Sequence, residues 1–147
     1  MISAKDALFR LETARRYLAA AEKLQEAQEW PGCVHYAQLA VENGVKAILA
    51  CWGPVPRSHD LTEWLHRILD QDLPDEIRSR IQQLIPLAEE YGRQKHVMST
   101  YGDEETFLTP WDLFDETDAQ KAVEDARQCV TLAGEIYEHQ FGEPPSR

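Results

Sequence analysis

The chain contains no apolar run of about 18 residues, the length a helix needs to cross a bilayer, so no membrane-spanning segment is expected. Its first residues, Met1-Ile2-Ser3-Ala4-Lys5-Asp6, lack the apolar stretch of an export signal, and a cytoplasmic location is expected. Cysteine is scarce. Cys33, Cys51 and Cys129 are the only three, far apart and in no CxxC or CxxH spacing. This argues against a disulfide framework and a structural zinc site, and it reads as small apolar core residues in a reducing compartment. There is no Gly-rich phosphate loop, nucleophile elbow or pair of catalytic carboxylates. No internal repeat, low-complexity tract or strand candidate appears either. Basic charge is also short, with 15 Lys and Arg against 26 Asp and Glu and a net charge of −11. Such a chain repels a phosphate backbone at long range, so a nucleic-acid site would have to be a local basic patch.

What is present is helical period. A chain of 147 residues with 43% hydrophobic content suffices for one domain with a real core, expected over 1–141 with a disordered tail at 142–147. Ser3 is an N-cap candidate, and Ala4, Ala7, Leu11, Ala14, Leu18 and Ala21 follow at the 3-and-4 spacing of one helical stripe. That helix should end near Trp30-Pro31-Gly32. Pro31 suits the first turn of a second, central helix carrying Val34, Ala37, Val41, Val45, Ile48 and Cys51, stopped by Gly53 as a left-handed cap and by Pro54. A short third helix is expected from about Asp60 to Asp70, with Asp60 and Glu63 spaced as a capping box. A fourth starts at Pro74-Asp75-Glu76 and runs to about Arg93. The last opens at Thr117 with Gln120 as a capping pair. It carries one stripe of Ala119, Ala122, Ala126, Cys129, Ala133 and Ile136, and a second of Val123, Val130 and Tyr137. The small residues of the first stripe permit close approach to another helix.

The stretch from Gln94 to Glu116 has no helical period, yet it holds Val97, Met98, Tyr101, Phe107, Leu108, Trp111, Leu113 and Phe114. A loop of this length in a compact domain tends to be functional or a misread element. These side chains either pack down on the bundle or form a partner surface.

The second helix carries Ala37, Gln38, Ala40, Glu42, Lys46 and Ala47. It is followed by a turn with Gly53, Pro54 and Pro56, and then by His59, Asp60 and Leu61. In this order the features resemble the HEPN family of small helical bundles. The segment His96 to Tyr101-Gly102 is similar to that family's histidine-to-tyrosine-glycine segment, except that Thr100 stands where arginine is usual. The resemblance covers about Ser3 to His139 and implies an all-α, antiparallel up-and-down bundle of four main helices plus one short helix. It also implies a homodimer, nucleotide-related binding and a separately encoded nucleotidyltransferase partner, in a toxin–antitoxin-like pair.

Many members are metal-independent ribonucleases with an arginine followed four to six residues later by a histidine. Histidine can move the 2′-OH proton, and arginine can stabilise the phosphate in the transition state. This chain lacks that spacing. Arg93-Gln94-Lys95-His96 leaves two residues between arginine and histidine, and Arg57-Ser58-His59 leaves one. Ribonuclease activity by the family mechanism is therefore not expected, and a divergent enzyme using Arg93 and His96 is the alternative, with a dimeric scaffold lacking any ligand as a third. The candidates for nucleotide or phosphate contact are His59, Arg93, Lys95, His96 and Tyr101, with an adenine stacked on Tyr101 and a phosphate on Arg93 or Lys95. A capping or packing role for His59, and a solvated loop for the others, are the plain readings beside these. Glu42 and Lys46, four apart, suit an intrahelical ion pair or presentation of either charge to a ligand. No metal and no cofactor are expected, since His59 and His66 alone would lie too far apart to share an ion.

Overall fold

Ser3 opens the first helix, α1 (Ala4–Glu26), from an extended conformation, its hydroxyl accepting the Asp6 N–H at 3.2 Å. The computed structural model describes residues 2–57, 61–92 and 98–143. α1 stops before Trp30 because Gln28 takes a left-handed backbone, φ 61°, which a right-handed helix cannot continue. Pro31 then lies in the first turn of α2 (Trp30–Ala50), where its missing N–H costs nothing. The glycine cap expected after α2 does not form. Gly53 has φ 153°, far from the left-handed value near about 57°. Instead the N–H groups of Cys51 and Trp52 turn back to the carbonyls of Ile48 and Leu49, each at 3.0 Å.

α3 (Leu61–Leu69) buries Leu65 and Ile68, and the expected cap at Asp60 lies outside the described residues. α4 (Asp75–Glu90) begins behind Pro74 with Asp75 and Glu76 in its first turn, and Tyr91 is its C-cap, two residues before Arg93, which lies outside the described residues. A helical turn at 98–101, a short α5 (Pro110–Leu113) and a long α6 (Glu116–Phe141) complete the described residues. α6 starts ahead of the expected Thr117–Gln120 pair. Asp115 is its N-cap, and Asp118 returns the second bond of the box. Thr109 and Asp112 make the same reciprocal pair at α5. In both boxes aspartate serves where the sequence rule seeks glutamate or glutamine.

α1, α2 and α6 pack along one another, α4 lies on α6 and α2, and α3 covers α4 and part of α2. This is the all-α bundle of four long helices and one short one that the helical periods lead one to expect, with α5 added. No strand occurs among the described residues, where Asp103 and Leu108 form an isolated antiparallel bridge. Every member of the two α6 stripes is buried, as are Val34, Ala37, Val41, Val45, Ile48 and Cys51 of α2. Burying an isoleucine such as Ile48 stabilises the fold by roughly 1.5–3 kcal/mol.

The small stripe lets α2 and α6 nearly touch. A Cβ added to Gly44 would meet Cys129 Sγ at 2.7 Å. All three cysteines are free and buried, and burial pushes the thiols up, Cys33 to about 11 and both Cys51 and Cys129 to about 12. They are packing residues, not nucleophiles.

Candidate functional site

On α2, Gln38, Val41, Glu42, Val45 and Lys46 recur at the spacing that places them on one face. That face forms the floor of a cleft of about 1290 Å³. Asp6 and Arg10 of α1 border it on one side. The turn from Pro54 to Arg57 and the start of α3, Leu61 and Thr62, border another. The C-terminal end of α4 closes it with Ala88, Glu89, Tyr91 and Gly92.

The lining has an apolar base and a charged rim. Val41 and Val45 are each 1% exposed, and Val55 and Leu61 extend the apolar surface. Three cations (Arg10, Lys46 and Arg57) and three carboxylates (Asp6, Glu42 and Glu89) border it, so the rim is balanced in a chain of net charge −11. Arg10 is held by Asp6 at 3.0 Å. Lys46 stands 3.8 Å from Glu42, near the limit of an ion pair, and at this half-exposed site such a contact contributes at most about 0.5 kcal/mol. Arg57 is exposed and makes no ion pair with another described residue.

The α4 wall is fixed from behind. The phenol of Tyr91 donates to Asp125 Oδ2 at 2.6 Å, and Lys121 Nζ joins Asp125 at 2.6 Å and Glu90 at 2.9 Å. Burial, then the bond to Asp125, raises the Tyr91 pKa strongly, so the phenol remains a donor. Gln38 reaches the Tyr91 carbonyl from α2 at 3.5 Å and is itself only 4% exposed. α2 and α6 thus both hold the residue at which α4 ends.

Four of the five site candidates, His59, Arg93, Lys95 and His96, lie outside the described residues. Their described chain neighbours do line the cleft: Arg57 and Leu61 on either side of 58–60, and Gly92 directly before 93–97. Tyr101 is not among the lining residues and is 66% exposed. Thr100 stands 3.1 Å from His35 Nδ1 and borders a smaller hollow of about 350 Å³ with Tyr36, Ser99, Pro110 and Trp111. Sequence reasoning does not single out Arg10 or the Tyr91–Asp125–Lys121 group. Asp6 and Arg10 are four apart, which is a usable signal, whereas Tyr91 and Asp125 are 34 apart and no local spacing links them. Among the described residues no group of three or more His, Cys, Asp or Glu is placed to hold a metal ion. No helix among them is long and apolar enough to cross a membrane.

A family model described as HEPN domain matches residues 7–137. Two solved structures are similar in fold. TT1696 from Thermus thermophilus superposes with a TM-score of 0.65 at 20% identity, over 92% of this chain and 99% of that one. ST0689, an archaeal HEPN homologue, gives a TM-score of 0.56 at 19% identity, over 88% and 97%. No match is found among curated proteins.

Proposed function

The chain belongs to the HEPN domain family, and from that premise we propose that it is a non-catalytic member binding a nucleotide in the cleft between α2, α3 and α4. The observation that carries this reading is the lining itself: an apolar base beside Lys46 and Arg57, with three cations matching three carboxylates on the rim in a chain of net charge −11. A nucleotide needs both parts. Its base gains from contact with Val41, Val45 and Leu61, and its phosphates gain from the two cations. The cleft volume of about 1290 Å³ admits a ligand of that size. His59 and the Arg93–His96 cluster follow in sequence from cleft residues and are proposed as further contacts, with Tyr101 retained as the stacking candidate. The absence of the arginine–histidine spacing of the family's ribonucleases supports a binding role over catalysis. A nucleotidyltransferase partner and a homodimeric state are part of the same proposal.

The test is titration of the purified chain with ATP, AMP and a short RNA, followed by melting and calorimetry. At a ligand concentration of about 100 Kd, binding should add about 2.7 kcal/mol of stability. Lys46→Glu and Arg57→Glu should each weaken binding at least about tenfold, or about 1.4 kcal/mol. A melting temperature unmoved by every nucleotide rejects the reading. RNA cleavage lost in both Arg93→Ala and His96→Ala would instead establish the enzyme.

A further inference from the structure

The segment that follows Ser99 presents apolar side chains to water. Tyr101 is 66% exposed, Phe107 90%, Leu108 41% and Trp111 66%. Phe107 and Leu108 lie on a small loop between the helical turn that ends at Tyr101 and α5, which carries Trp111. Asp103 and Leu108 exchange hydrogen bonds at 2.8 and 3.1 Å, and a Cβ on Gly102 would come within 3.1 Å of Pro110 Cδ. Phe107 also has φ 58°, a left-handed conformation that a bulky side chain adopts only at a cost. The loop therefore loses stability to strain, and at 90% exposure Phe107 gains too little packing from the described residues to offset it.

Along the described stretch that carries these side chains, the charged residues are of one sign. Residues 97–120 contain seven carboxylates, Asp103, Glu104, Glu105, Asp112, Asp115, Glu116 and Asp118, and no Lys or Arg. Nucleic acid is repelled by such a surface. A second copy docking by the same face would set these carboxylates against their own equivalents, since a two-fold interface is self-complementary. We propose that residues 103–112 are a docking surface for a different protein, one whose contact face places Lys and Arg around an apolar pocket that receives Phe107 and Trp111. Charge complementarity selects the partner, and the apolar side chains, already ordered by the Asp103–Leu108 bridge, supply the contact. Residues 103–112 include no cleft residue and no candidate nucleotide contact, so the proposal stands apart from the nucleotide reading.

The full chain carrying the photocrosslinking residue p-benzoylphenylalanine at Phe107 should capture one protein in the cells that make it. The same residue at the exposed Gln82 of α4 should not capture that protein. The captured protein, made separately, should bind the unlabelled chain with an affinity that falls as salt rises from about 0.05 to about 0.5 M. Phe107→Ser and Trp111→Ser should each weaken binding at least tenfold, while leaving nucleotide binding unchanged and not lowering the melting temperature. Charge reversal of the partner's Lys and Arg should weaken it as well. Capture of a second copy of this chain, of nucleic acid or of nothing specific to position 107 overturns the proposal, as does binding insensitive to salt.

Discussion

At Gly44, α2 approaches α6 so closely that a Cβ would press on Cys129 Sγ, and at Gly102 a Cβ would overlap the carbonyl oxygen of Leu108. Both glycines are there because a methyl group has no room. They differ in what the crowding achieves. Around Gly44 the neighbours are Ala40, Val41, Ala126, Val130 and Ala133, all buried on α2 or α6, and the close approach belongs to a continuous core. Around Gly102, φ 78° folds the chain back so that Phe107 and Trp111 face outward. One contact hides apolar surface and the other displays it. Crowding alone therefore does not mark a core; the fate of the neighbouring side chains does.

The contrast can be tested by filling each space. Gly44→Val should have the largest effect, lowering global stability by about 1–3 kcal/mol in a urea melt through overpacking. Combination with Cys129→Ala should recover part of that loss, because Sγ is the atom in the way. Gly102→Ala should cost about 1–2 kcal/mol for the left-handed backbone, and the overlap with the Leu108 carbonyl oxygen should displace the loop locally. Hydrogen exchange should then quicken at the Asp103 and Leu108 amides while α2 and α6 keep their protection. The smallest effect should come from Phe107→Asn, and with the opposite sign: a gain of up to about 1 kcal/mol, since asparagine tolerates this backbone and the exposed ring contributes little packing. A loss of global stability in the loop variants, or none in Gly44→Val, would erase the distinction.

The two regions also differ in how far the sequence reveals them. The α6 stripe of Ala119, Ala122, Ala126, Cys129, Ala133 and Ile136 is fully buried, because helical period and burial are two expressions of one geometry. The Ser3 cap and the Pro31 start are equally local and equally readable. The loop is not, since its shape depends on a glycine and a bridge between Asp103 and Leu108 with no periodic signal. The start of α6 escapes the sequence rule for a chemical reason: aspartate completes the box at Asp118, where the rule admits longer side chains. In the cleft, the Gln38–Lys46 face is legible as a helix face. Its function as a floor is not, because the opposing wall comes from Tyr91, set by a hydrogen bond to Asp125 34 residues away.

The Gly44–Cys129 contact also supplies a clock. Cys129 is fully enclosed between α2 and α6, and its thiol is pushed up to about 12 by that enclosure. A thiol reagent can therefore reach it only during moments when the two helices part. Cys33 and Cys51, buried elsewhere along α2, would time the separation of other stretches in the same way. The relative labelling rates of the three would rank how readily each length of the bundle opens, with no probe introduced into the protein.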